Sequence, residues 1–232
     1  LLFIILMCIS QNAQSTPLLK DFDTRRTWLI AQYDTSTARN YNTVAARYAT
    51  GKDIALADEI FKELLQEPNG DMFWMYRVIG CYLLGKDKMS KTTQTKVRQA
   101  WKNYAPSRGD TENHWALYYA SLLLAAEQWP DEPGEQWFDG LSSTEKHREA
   151  TAYLEHWIRL TTSKGQGEFD SPDYLQMFII ASTLLTEFAQ DPAMRKRGEM
   201  LTDYFLADFA VEHLNQEYAG GYSRIYERNL LA

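Results

Sequence analysis

The sequence predicts an all-α protein with the plan of an α/α toroid, a helical-hairpin array in which inner and outer helices alternate. First, no useful length of chain alternates apolar and polar residues with the period of two that strands show. Second, segments with helical spacing follow one another, separated by Gly, Pro and Asp-Asn-Ser clusters. Third, these segments alternate between amphipathic helices and helices that are apolar nearly all round.

The helical spacing predicts nine helices in order. They are expected at about 18–34, 39–49, 53–66, 71–85, 90–104, 112–129, 143–162, 172–189 and 192–215. Ser143 is expected to cap its helix without a capping box, because Lys146 stands where a Glu would complete one. Ser171-Pro172 and Asp191-Pro192 each place a cap before a proline at the first helical position.

The alternation of helix character predicts the layers. The segments 71–84, 115–129 and 174–189 are apolar nearly all round, whereas 53–66, 143–162 and 192–215 are amphipathic. A helix that is apolar on all sides must be covered on all sides. We therefore expect buried inner helices within a ring of outer ones. Fewer helices are predicted than a closed ring needs, so we expect an incomplete toroid and favour continuation beyond Ala232.

Composition narrows the function classes. The 232 residues carry a net charge of −7, and 45 % of them are hydrophobic, as in a folded domain with a substantial core. No basic block is available to neutralise phosphates, so we expect no nucleic-acid partner. Aromatic residues reach 13 %, a content that suits either a packed core or the stacking of sugar rings.

The first nine residues are an unbroken apolar run, and no charge precedes Lys20. This run is too short to span a bilayer and resembles the hydrophobic part of a secretory signal. We predict a signal segment over 1–15, a helical domain over 16–232, no membrane span in the mature protein, and a secreted or periplasmic location. A lipoprotein cysteine at Cys8 and a buried N-terminal helix remain alternatives.

The loops that precede the inner helices carry the polar chemistry. Consecutive helices of such an array run antiparallel, so all inner helices begin on the same side. Their leading loops are therefore expected to converge on one rim, where helix N-termini suit an anionic ligand. The loops are NGDMFW (69–74), RGDTENHW (108–115), GQGEFDSPDY (165–174) and YAGGYSRIYE (218–227).

Asn113 and His114 are the most specific candidate catalytic pair in these loops. At the first turn of a buried helix, they could hydrogen-bond a carboxylate and place a base beside it. They could equally be a satisfied turn residue and a half-buried helix residue. No histidine pair has the spacing of a metal site, so we predict neither a metal nor another cofactor.

Two further loops contain possible catalytic residues. Glu168 and Asp170 could serve as the acid and base of glycoside hydrolysis, or as a helix cap and a partner of the helix dipole. In GGYSRIYE, Arg224 could bind a carboxylate while Tyr222 or Tyr226 moves a proton. A packed aromatic loop is the alternative there.

The segments that contain these residues resemble a known protein family. TENHWALYYASLLLAAEQWP resembles the segment of toroid-type polysaccharide lyases and heparinase-like proteins in which Asn-His opens an inner helix, and it is similar to alginate-lyase-like sequences. GQGEFDSPDY and GGYSRIYE resemble pieces of secreted bacterial proteins with the same plan. The resemblance covers about residues 105–227. The lyases usually continue into more helices and often into a β-sandwich domain, which this sequence lacks.

The resemblance implies β-elimination on a uronate-containing polysaccharide, without a cofactor. It makes Asn113 a neutraliser of the substrate carboxylate, His114 a base or second neutraliser, Arg224 a carboxylate partner, and Tyr222 or Tyr226 the proton shuttle. Other rim residues are expected to contact the substrate: Trp115, Glu168, Asp170 and Tyr174. Two alternatives stay open, a toroid glycoside hydrolase that uses Glu168 and Asp170, and a non-catalytic glycan-binding protein.

Overall fold

A computed structural model of the chain describes residues 21–66, 70–104, 106–214, 217–218, 221 and 223–226. The predicted all-α class is confirmed. The α-helices in this part of the chain are α1 (Phe22–Asp34), α2 (Tyr41–Thr50), α3 (Ile54–Leu64), α4 (Met72–Gly85), α5 (Lys91–Asn103), α6 (Glu112–Gln128), α7 (Ser143–Lys164), α8 (Leu175–Phe188) and α9 (Pro192–Val211). A 3-10 turn covers Gly134–Gln136, and β1 (His213–Leu214) pairs antiparallel with β2 (Glu217–Tyr218).

The helices form a buried row and a flanking layer. In the row, α2 packs against α4, α4 against α6, and α6 against α8. In the flanking layer, α1 and α3 cover α2, α5 lies against α3 and α4, α7 covers α6, and α9 covers α8 and contacts α7. Thirteen of the 17 residues of α6 are buried, as expected for a helix that is apolar nearly all round.

The start of α7 corrects one prediction. The N-cap is Ser142, one residue earlier than expected, and it forms a capping box with Glu145. The Ser142 hydroxyl accepts the Glu145 N–H, and the Glu145 carboxylate accepts the Ser142 N–H at 2.8 Å. The hydroxyl of Ser143 is directed inward instead, where it accepts the indole N–H of Trp137 at 3.0 Å.

The start of α8 corrects a second prediction, whereas that of α9 is confirmed. Helix α8 begins at Leu175 rather than at Pro172: residues 172–174 form a turn, and Tyr174, not Ser171, is the N-cap residue. The Ser171 hydroxyl donates to the backbone carbonyl of Arg224 at 2.6 Å, a contact with a distant part of the chain. At α9, Asp191 accepts the Ala193 N–H at 2.9 Å ahead of a proline at the first position.

The predicted signal segment over 1–15 lies outside the described residues. Within the described part of the chain, no helix has both the length and the apolar character needed to cross a membrane.

Candidate functional site

The four polar loops defined above (69–74, 108–115, 165–174 and 218–227) are linked in chain order by hydrogen bonds at or directly beside each loop. The N–H of Ser107, the residue directly before the second loop, donates to the carbonyl of Gly70 in the first loop. The second and third loops meet where the Asn113 N–H donates to Glu168 at 2.9 Å. The third and fourth meet where Arg224 donates to Glu168 at 3.0 Å. These loops therefore form one polar rim.

Glu168 lies at the centre of this rim. Its Oε2 accepts the backbone N–H of Asn113 and, at 2.6 Å, the Asn113 side-chain amide, while its Oε1 accepts Nη1 of Arg224. Helix α6 has Thr111 as its N-cap, but the Thr111 side chain makes no capping bond. The Glu168 carboxylate takes that place and faces the positive end of the helix dipole.

Glu112 holds the same two loops together from the other side. Its Oε2 accepts the N–H of Gly167 at 2.6 Å and that of Glu168 at 3.1 Å. Its Oε1 accepts the indole N–H of Trp157 on α7 at 3.0 Å. Sequence reasoning missed this residue, although an acidic side chain in the first turn of a buried helix is a usable signal.

Arg224 connects Glu168 to two tyrosines. Its Nη2 donates to the Tyr226 hydroxyl at 2.9 Å, and the Tyr226 and Tyr174 hydroxyls are hydrogen-bonded to each other. The guanidinium carbon lies 4.3 Å from the centroid of the Tyr174 ring, which is a cation–π contact. The result is a continuous chain from Asn113 through Glu168 and Arg224 to the tyrosine pair.

The two tyrosines differ in how readily they ionise. The hydrogen bond with Tyr174 and the donation from Arg224 lower the pKa of Tyr226 below its usual value, because both favour the phenolate. Burial, together with its hydrogen bond to Tyr226, raises the pKa of Tyr174 to about 12. When Tyr226 is ionised, Tyr174 is the donor of the pair and the Tyr226 oxygen is the acceptor.

His114 is not brought into contact with this network in the described part of the chain. Its ring packs edge-on against Phe73, with centroids 5.5 Å apart, and its Nδ1 lies 3.7 Å from an Asp110 carboxylate oxygen. Trp115, the next residue, donates its indole N–H to the carbonyl of Gly109 at 2.9 Å.

The remaining predicted residues are Asp170, whose charge acts on α9, and Tyr222. The charge of Asp170 acts on Tyr204 and Asp208, both on α9, and burial together with that charge raises the pKa of Asp208. Glu168 contacts Asn113 and Arg224, whereas the charge of Asp170 acts on these two residues of α9. Tyr222 lies outside the described residues.

A cavity of about 480 Å³ opens beside the rim, between the first turn of α6, helix α7 and the glycines at 165 and 167. Trp115 lines it, together with Tyr153, Trp157 and Lys164 of α7, which sequence reasoning did not assign to a site. Tyr153 and Trp157 lie on the apolar stripe of an amphipathic helix, where core packing was the simpler interpretation.

Among the described residues, no group of three or more His, Cys, Asp or Glu side chains is placed to hold a metal ion. Comparisons of the chain with protein-family models, curated proteins and solved structures gave no match. Any functional assignment must therefore come from the rim and the cavity themselves.

Proposed function

We propose that the chain is a secreted, polysaccharide-lyase-like protein that acts by β-elimination on a uronate-containing glycan. The carrying observation is the Tyr226 hydroxyl, which accepts a hydrogen bond from Arg224 at 2.9 Å and is hydrogen-bonded to the Tyr174 hydroxyl. A buried row of helices with a flanking layer, and with its loops gathered on one rim, is also compatible with the α/α-toroid plan of such enzymes.

β-Elimination needs a base and an acid. The base removes the proton on C5, beside the sugar carboxylate, the bond from C4 to the glycosidic oxygen breaks, and a C4–C5 double bond forms. Tyr226, with its lowered pKa, is the base, and Tyr174, with its raised pKa, protonates the departing oxygen. Two neighbouring groups whose pKa values are pushed apart are typical of an acid–base pair.

Arg224 is the carboxylate partner in this scheme. A guanidinium has five N–H donors, and contacts to Glu168 and Tyr226 occupy only part of them. Its side chain is 37 % exposed, so the free edge can receive the substrate carboxylate and acidify the C5 proton.

Asn113 acts as a positioning residue, which differs from the neutralising role that the family resemblance implies. The side chain is fully buried, and its amide donates to Thr111 at 2.9 Å and to Glu168. Asn113 thus fixes Glu168, and Glu168 fixes Arg224.

The test is ultraviolet absorbance of unsaturated products from alginate, heparin-like, chondroitin-like and pectic substrates. Wild-type protein should generate the absorbance on at least one of them, and Tyr226→Phe should abolish it. Tyr82→Phe is the matched control, because Tyr82 is partly buried against Trp129 at the other end of α4. Absence of product absorbance on every substrate would overturn the proposal.

A glycan-binding protein without catalysis is the second candidate. It is favoured by the cavity beside the rim, because the aromatic rings that line it could bind a sugar whether or not the tyrosine pair transfers a proton. This candidate predicts polysaccharide binding with no change in product length.

A further inference from the structure

We propose that the cavity between α6 and α7 is a binding subsite for one acidic sugar residue, which packs on Trp115 and Tyr153 and places its carboxylate at Lys164. The choice of an acidic sugar rests on the proposed function. The volume of about 480 Å³ lies within the range of small-molecule sites.

The two partly exposed rings of the cavity are held in place before any ligand arrives. The indole of Trp115 is hydrogen-bonded to the Gly109 carbonyl, and the Arg108 guanidinium carbon lies 4.2 Å from its ring centroid. The ring of Tyr153 stacks on Tyr119 with centroids 4.1 Å apart and an interplanar angle of 22°. Fixed aromatic surfaces lose little conformational entropy on binding.

Trp157 connects the cavity to the proposed catalytic rim. Its indole N–H donates to Glu112, and its ring stacks on Phe178 at 6.2 Å and 24°. The same Glu112 carboxylate accepts the backbone N–H of Glu168. The Glu112 side chain therefore both lines the cavity and anchors the loop that positions Arg224.

The charges around the cavity favour an anion. Lys164 is exposed and has no ion-pair partner among the residues that the structure describes. The Glu112 carboxylate is engaged by three N–H donors, which offset its charge. Arg108 adds a second cation above Trp115, and its charge is shared with Glu149, since both contact the Tyr119 hydroxyl. Among the residues that line the cavity, Asp110 is the other carboxylate, with its side chain almost fully in solvent. An acidic saccharide fits this balance better than a neutral one.

The experiment is isothermal titration of the full chain carrying Tyr226→Phe, so that bound saccharide is not cleaved. The probes are tetrasaccharides from alginate, pectin, chondroitin and heparin, with cellotetraose as the neutral comparison. At least one acidic probe should bind at least tenfold more tightly than cellotetraose, and added salt should weaken its binding.

Three substitutions locate the site. Lys164→Met should weaken binding of that probe about tenfold, as loss of one charge-assisted contact predicts. Lys91→Met, at an exposed lysine on α5, should leave it unchanged. Leu160 lines the cavity and is 44 % exposed, so Leu160→Glu should fold normally and weaken binding at least tenfold through charge repulsion.

The two proposals fail separately. Equal affinity for acidic and neutral probes, or unchanged binding in Lys164→Met and Leu160→Glu, overturns the subsite even if the wild-type protein is a lyase. Binding of an acidic probe that both substitutions weaken, without any unsaturated product from the wild type, supports the subsite and removes the lyase activity. Preference for an apolar ligand such as a fatty acid over every saccharide also overturns the subsite.

Discussion

Arg224 donates from Nη1 to Oε1 of Glu168 at 3.0 Å, across 56 residues of sequence. The Glu168 side chain is only 13 % exposed, so this ion pair is partly shielded from solvent. The contact sets the direction of the guanidinium, whose other terminal nitrogen then reaches the Tyr226 hydroxyl. The reactivity of Tyr226 is therefore tied to a carboxylate that need not touch the substrate.

Replacing Glu168 with Gln should shift the pH dependence of catalysis. Without the carboxylate, Arg224 is no longer fixed beside Tyr226, so the ascending limb of the kcat profile should move to higher pH and kcat at neutral pH should fall at least tenfold. Glu59→Gln is the control, because Glu59 forms an exposed pair with Arg39. A lower kcat at every pH, with the ascending limb of the profile at its wild-type pH, would indicate that Glu168 has only a structural role.

Asn113→Ala should lower the free energy of unfolding by about 1–2 kcal/mol, because a buried carboxylate loses a side-chain donor. The backbone N–H of residue 113 remains to bind Glu168, so folding should survive. Urea unfolding measures the difference. A loss of stability below about 0.5 kcal/mol, as for a neutral surface substitution, would contradict the positioning role.

Glu127 should make stability depend on pH. Burial raises the pKa of this carboxyl to about 7, well above its value in an unfolded chain. The folded state therefore favours the protonated carboxyl. The resulting stabilisation of the folded protein is fully present below about pH 4.5 and is lost as the pH rises towards 7.

Glu127→Gln should remove this dependence. The amide oxygen can still accept the Gln190 N–H, so the variant should match wild type at pH 4.5 and be more stable at pH 8 by roughly 2–3 kcal/mol. Glu199→Gln, on the exposed side of α9, is the matched control for thermal unfolding at both pH values. Equal gains at the two pH values would contradict the assigned cause.

Lys146 and Asp139 should behave as a coupled pair. Lys146 is fully buried, donates to Asp139, and lies 4.2 Å from the centroid of the Phe138 ring. Asp139→Ala leaves a buried cation without its carboxylate and should cost about 3–5 kcal/mol, whereas Lys146→Met replaces that cation with an apolar chain and should cost much less. Chemical denaturation measures the free energy of unfolding of both variants. Equal losses of stability in Asp139→Ala and Lys146→Met would contradict this account.

The helical order could be predicted because it depends on local patterns. Segments such as 115–129 and 174–189 are apolar nearly all round, and burial of that surface requires the layered packing that α6 and α8 show. The antiparallel order of helices then places the polar loops on one side. The contacts among Asn113, Glu168 and Arg224 agree with that expectation.

Side-chain partners could not be predicted in the same way, because they depend on long-range geometry. Ser171 has the local signature of a helix cap, yet its hydroxyl bonds the backbone of Arg224. From sequence, Asn113 could either bind a substrate carboxylate or be a satisfied turn residue, and Glu168 from a loop 55 residues away occupies its amide. The cavity was missed for the same reason, since Tyr153 and Trp157 have the helical spacing of core residues.

The mass of the products from a uronate polysaccharide tests the central claim most directly. Elimination yields a new chain end that is lighter by one water than the end that hydrolysis produces. The account predicts this lighter end with wild-type protein and with Tyr82→Phe, and its absence with Tyr226→Phe. Products of hydrolysis mass, or lighter ends formed equally well by Tyr226→Phe, would contradict it.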